Sequence, residues 1–178
     1  MGRMTGRREA LMGFAAIVGA ACPWPRTAAA AIDRGVGWAE RIVVYKRKRV
    51  LMLMRGGEAA RTFRIALGRE PRGTKLREGD GRTPEGSYLI DARNNDSQFY
   101  RAMHISYPSQ ADRQRARQMG VRPGGLIMIH GLDPAIKSKW HNDHWMFNWT
   151  RGCIAVTNEE MDVIWDAVAL GTPIDIHP

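Results

Sequence analysis

The sequence predicts a mostly β, single-domain protein with short helices. From about residue 40 onward, short apolar or alternating runs are separated by turn residues, the pattern of a β-meander. Only two stretches carry helix signals, and both are short. The 178 residues, 44% hydrophobic and 25% charged, have the composition of an ordinary folded chain with room for one full domain and not two. Two cysteines exclude a disulfide-rich scaffold. No apolar run reaches the roughly 18 residues of a spanning helix. There is no internal repeat and no low-complexity tract.

The elements follow in order. Arg41–Tyr45 and Val50–Met54 flank the basic turn Lys46–Arg49, and Arg55-Gly56-Gly57-Glu58 is a second turn. Thr62–Leu67 alternates as a third strand. Residues 68–86, rich in glycine and charge, read as a long loop. Ser87–Asp91, Tyr100–Ser106, Leu126–His130 and Ile174–His177 are the remaining strands. Ser109–Met119 reads as a surface helix that Ser109 caps and Gly120 stops. Residues 158–170 read as the stronger helix: Thr157 and Glu160 are spaced for a capping box, and Met161, Ile164, Trp165 and Val168 fall on one face. Gly171 and Pro173 end it.

Residues 1–30 read as a cleaved export signal. Three arginines within residues 1–9 precede the 12-residue apolar run 10–21, and Ala28-Ala29-Ala30 is a cleavage site. Arg7-Arg8 loosely matches a twin-arginine signal. Residues 31–39 are then a linker and 40–178 the domain. Export places the protein in the periplasm or cell envelope, with membrane attachment only if Cys22 is lipidated. Net charge is +9, from 27 basic and 18 acidic residues. Without residues 1–30 it is 23 basic against 17 acidic, or +6. A basic body suits an anionic partner and equally a solubilising surface. Beyond charge, nothing points to nucleic acid.

The chemistry concentrates between residues 126 and 158. Cys153 lies in Thr150-Arg151-Gly152-Cys153-Ile154, just ahead of the capped helix. In an exported protein, a thiol left unpaired reads as reactive. Gly152 permits a sharp turn, whose amides can bind an oxyanion, and Arg151 favours the thiolate. His130 ends an apolar strand, ahead of Gly131, where an imidazole can deprotonate a thiol and later protonate a leaving amine. Taken singly, each feature has a structural reading as well. His130, His141 and His144 admit a metal site, but the spacing matches no metal motif. Trp140, Trp145 and Trp149 either line a lid or pack their loop on the sheet. Arg69, Arg72, Lys75, Arg77 and Arg82 form a basic loop that is either solvated or carboxylate-binding.

His130-Gly131, 18 residues, then Thr150-Arg151-Gly152-Cys153-Ile154 resembles the signature of the L,D-transpeptidase catalytic domain (YkuD type). Gly79–Gly86, His104–Pro108 and residues 157–173 also match, so the resemblance spans about residues 40–178. It implies a β-sandwich with short helices and a substrate class, peptidoglycan stem peptides. Cys153 would form a thioester at the third stem residue and release D-alanine. His130 would be the base, oriented by the carbonyl of Gly131, with the amides of Gly152 and Cys153 as oxyanion donors. Transfer to an amine gives 3–3 cross-links or wall-protein attachment, and transfer to water gives a carboxypeptidase. Thr150 and Arg151 would support the substrate, and Arg82 and Tyr107 would border the donor site. No cofactor or metal is implied, and carbapenems are expected inhibitors. The chain departs from the family at Arg151, often His, and at Ala155, often Arg or Asn. A non-catalytic wall-binding module and a metal-dependent amidase are the readings from other classes.

Overall fold

The computed structural model describes residues 1, 2, 38–136 and 138–178. Residues 3–30 of the expected export signal, including Cys22, and residues 31–37 of the linker lie outside the described residues. The rest forms eight strands and two α-helices: β1 Arg41–Tyr45, β2 Val50–Arg55, β3 Glu58–Arg64, β4 Gly86–Ser97, β5 Tyr100–Ile105, α1 Gln110–Gln118, β6 Met128–His130, β7 Ile154–Ala155, α2 Asn158–Ala167 and β8 Pro173–His177.

The strands form one sheet in the order β3-β2-β1-β8-β4-β5-β6-β7. β1 pairs with β8 in parallel, and β8 pairs antiparallel with the first residues of β4. The later part of β4 pairs with β5 after a register shift between Ile90 and Ala92. The two ends of the sheet then meet: Ala66, just beyond β3, exchanges backbone hydrogen bonds of 2.9 and 3.0 Å with Ala155 of β7. The expected mostly β fold is therefore present as a sheet that returns on itself.

Alternation explains the core. Ile42 and Val44 of β1, Leu51 and Leu53 of β2, and Ile174 and Ile176 of β8 all face one apolar cluster. Met161, Ile164 and Ala167 of α2 join it. Both helices have the expected caps, and each is a full capping box: Ser109 with Asp112, and Thr157 with Glu160.

Several boundaries differ from expectation for physical reasons. The third strand begins at Glu58 because Gly56 and Gly57 have φ of 59° and 82°, which makes a tight hairpin that pairs Arg55 with Glu58 at once. β4 runs on to Ser97 through polar, exposed residues because β5 hydrogen-bonds to it. Leu126 does not start β6; it has φ 54° and is 74% exposed. α2 stops at Ala167, where the Arg93 guanidinium of β4 takes the carbonyls of Trp165 and Val168. The two-residue β7 is too short for any periodicity to reveal.

Candidate active site

His130 ends β6, and Cys153 immediately precedes β7. These strands run parallel with Ile129 opposite Ile154 and His130 opposite Ala155. Extending that register sets Cys153 opposite Met128, whose backbone is among the groups that lower the pKa of the thiol. Residues two apart in a strand share a face. Cys153, Ala155, Met128 and His130 therefore lie on one face at neighbouring positions. The sequence singled out both candidate groups but not the two-residue strand β7 that brings them together.

The His130 ring is 2% exposed. Its Nδ1 lies 2.7 Å from the carbonyl oxygen of Gly131. A carbonyl only accepts, so Nδ1 carries the proton and the Nε2 lone pair is left free. Phe99 stacks on the ring at 4.7 Å and 26°, and Trp149 meets it edge-on at 5.6 Å. Burial pushes the imidazole down to about 4, partly opposed by the Gly131 bond. It is a neutral base over the whole physiological range.

Gly131 has no room for a side chain: a Cβ there would meet Asn158 Oδ1 at 2.5 Å and the Phe99 carbonyl at 2.9 Å. The same Asn158 oxygen accepts from the Leu132 amide at 2.9 Å. The first residue of α2 thus holds the chain just beyond the histidine. Nothing in the sequence marked Asn158 or Phe99 for these roles.

The turn before Cys153 is tied internally. The Thr150 hydroxyl donates to the Cys153 carbonyl at 2.8 Å and accepts from the Gly152 amide at 3.1 Å. Gly152 has φ 124°, and its Cα packs so closely on Arg82 that a Cβ would lie 2.6 Å from the Arg82 carbonyl. The Gly152 amide, expected as an oxyanion donor, already has a partner; the Cys153 amide has none among the described residues. Thr150 is buried and shapes the turn.

The thiol donates to the Leu126 carbonyl at 3.5 Å. Burial raises its pKa, against smaller lowering influences from the Met128 backbone and the Lys75 ammonium. Arg151 is exposed and is not among those influences, so the expectation that it holds the sulfur as thiolate fails. The resting pair is thiol and neutral imidazole.

The basic loop resolves into distinct parts. Lys75 is 3% exposed and donates to Asp80 Oδ1 at 2.8 Å and to the Arg77 carbonyl at 2.9 Å. Asp80 also accepts from the amides of Leu76, Arg77 and Arg82. This buried pair organises the segment whose Arg82 carbonyl presses on Gly152. Arg82 itself is half-buried. Tyr107, expected at the donor site, is instead 2% exposed, and its hydroxyl donates to the Pro123 carbonyl at 3.0 Å. It braces the loop leading to Leu126.

The 132–149 segment supplies Trp149 to the His130 ring, while Trp145 lies under the Arg64 guanidinium at 4.9 Å. Trp140 is exposed and meets Phe147 edge-on at 5.8 Å. His144 is buried, its Nδ1 has no partner among the described residues, and burial with His130 and His141 nearby holds it at about 4. Among the described residues, no three His, Cys, Asp or Glu side chains gather as metal ligands.

YafK of Escherichia coli K12, named as a candidate L,D-transpeptidase, is 30% identical over 151 residues, covering 77% of this chain and 53% of YafK. The chain thus spans about half the length of the curated relatives it matches. Among solved structures, the helical cell shape determining protein Pgp2 from Campylobacter jejuni superposes with a TM-score of 0.59 at 23% identity, covering 80% of this chain and 50% of Pgp2. The LD transpeptidase LdtMt1 in complex with imipenem superposes with a TM-score of 0.50 at 20% identity, covering 78% of this chain and 58% of that one. At these identities the superpositions show the fold alone. The family match is direct: residues 39–176 fit the L,D-transpeptidase catalytic domain, YkuD, and the chain belongs to that family.

Proposed function

We propose that this chain is an exported cysteine L,D-transpeptidase of the cell envelope that acts on peptidoglycan stem peptides. The observation that carries the reading is the shared face of β6 and β7, which sets Cys153 beside an imidazole whose Nδ1 is committed to Gly131 and whose Nε2 is free. Family membership supplies the substrate class, and the basic chain suits a carboxylate-rich wall.

The reaction begins with Nε2 of His130 taking the thiol proton as Sγ attacks the carbonyl of the third stem residue. The resulting oxyanion is met by the free Cys153 amide, with Thr150 and Gly152 holding the turn in shape. The protonated imidazole gives its proton to the D-alanine nitrogen as that C–N bond breaks, leaving a thioester on Cys153. An acceptor amine then attacks the thioester, His130 takes its proton, and the thiolate leaves and is reprotonated. Water as acceptor gives a carboxypeptidase. Because the resting pair is neutral, the thiolate forms in the act of attack and not before.

The test is incubation with a disaccharide-tetrapeptide and mass spectrometry of the products, with Cys153→Ala alongside. Stem dimers that have lost one D-alanine are expected, together with a covalent carbapenem adduct on Cys153 of the native protein. Tripeptide alone would assign the carboxypeptidase. Neither product nor adduct would overturn the enzyme reading in favour of a wall-binding module.

A further inference from the structure

A cavity of about 730 Å³ lies against the β1–β2 turn, lined by residues that include none of Cys153, His130 or Gly131. Lys46, Arg47 and Arg49 come from the turn, and Arg72 and Glu85 from the long loop facing it. Asn148 enters from the end of the segment that joins His130 to Cys153.

The cations there are not equivalent. Lys46 is 3% exposed, and its three protons go to Glu85 Oε1 at 2.8 Å, the Gly73 carbonyl at 2.6 Å and the Thr83 carbonyl at 3.0 Å. It supplies structure and field but has no proton left for a ligand. Arg49 donates to the Trp145 carbonyl at 2.9 Å and to Asn148 Oδ1 at 2.5 Å, both uncharged acceptors. Arg47 and Arg72 are exposed and have no carboxylate partner among the described residues. Against these four cations stand Glu85, already paired, and the carboxylate of Pro178 at the rim. The cavity keeps a surplus of positive charge after every anion in its lining is counted, and two guanidiniums are free to bind.

We infer that this cavity is a second binding subsite, for carboxylate groups of a wall stem peptide lying outside the catalytic cleft. The inference rests on the proposed peptidoglycan substrate. Guanidinium forks match planar carboxylates in two parallel hydrogen bonds, and Arg47 and Arg72 offer two such forks in one cavity. The subsite also touches the catalytic segment. Arg49 holds Trp145 and Asn148, three residues apart at the far end of the segment that brings Trp149 against His130. A carboxylate recruited by Arg47 and Arg72 stands next to that anchor and can strengthen or relax it.

The test is an NMR titration of the full-length Cys153→Ala protein with three probes: the tetrapeptide stem, the same stem with its carboxylates amidated, and inorganic phosphate. The tetrapeptide is expected to shift the resonances of Arg47, Arg72 and Asn148 as well as those around residue 153. In the R47Q/R72Q variant its affinity is expected to fall about tenfold, since hydrogen bonds to charged groups are of that size. The amidated stem should leave the cavity resonances unmoved. Shifts confined to the Cys153 turn would overturn the subsite and leave the substrate reading intact. Cavity shifts with phosphate but not with the tetrapeptide would overturn it in favour of a phosphate-bearing ligand. A tetrapeptide that moves neither region would overturn both readings.

Discussion

His130 and His144 are both buried, and both are held at about 4, well below the ordinary imidazole value of 6.5. The unfolded chain therefore binds more protons than the folded one between pH 6.5 and 4. Their contribution to stability is fully present above 6.5 and is lost as the pH falls through that window. A drop of 2.5 units corresponds to about 3 kcal/mol for an isolated group, an upper figure here because the two rings influence each other. Asp80 and Asp175, both lowered from 3.8, lose their contributions only below the window, and Glu160, raised from 4.5, acts with the opposite sign. Urea unfolding at pH 7 and pH 5 should show a marked loss on acidification, and His144→Asn should remove a substantial part of it. Equal losses in both proteins would mean that His144 is not protonated on unfolding. At this scale the candidates legible in the sequence were Cys153, His130 and the glycines beside them, because a rare residue next to a turn-forming glycine stands out locally. Asn158, Phe99 and the Lys75–Asp80 pair were not, because their roles depend on which distant segment each one meets.

The loop from 68 to 86 shows how an element without regular structure can be rigid. Asp80 gathers three amides and the Lys75 ammonium, and the pair's side chains are 9% and 4% exposed. Removing one member of a buried pair strands the other charge and costs about 3–5 kcal/mol. Asp80→Asn should lower stability by that order in urea unfolding, while replacing both residues by apolar ones should recover much of it. Lys75→Met removes the cation nearest in influence to the sulfur, so the pH midpoint of Cys153 alkylation should rise further above that of an ordinary thiol. An unchanged midpoint would confine Lys75 to a structural role. Composition read this stretch as a loop, since glycine and charge rule out a regular element. That it is an ordered wall of the turn before Cys153 rests on Asp80 reaching back to Leu76, a contact no periodicity encodes.

For the whole molecule, the sequence disclosed seven of the eight strands among the described residues and the helix caps, because those follow from local alternation and turn chemistry, while two-residue β7 is too short to alternate. It did not disclose strand order, because which strands pair is decided by burial across the chain. The central case is β8, the last strand, which lies between β1 and β4 and joins the β1–β3 half of the sheet to the β4–β7 half. Its inward residues Ile174 and Ile176 are 0% and 2% exposed, and the Asp175 carboxylate on its other face binds Arg41 of β1 and Ser87 of β4. Deleting an isoleucine side chain from such a position costs about 2–5 kcal/mol. Loss of both, with two backbone ladders, is of the same order as the 5–15 kcal/mol stability of a typical domain. Truncation after Thr172 should therefore abolish the cooperative thermal transition and the near-ultraviolet circular dichroism. Removal of exposed Pro178 alone should leave both in place, because Lys46 would keep its backbone bond to His177. A cooperative transition in the longer truncation would mean that closure between Ala66 and Ala155 suffices to join the halves. Strands β6 and β7, which carry the candidate site, would then fold without the strand that joins the two halves of the sheet.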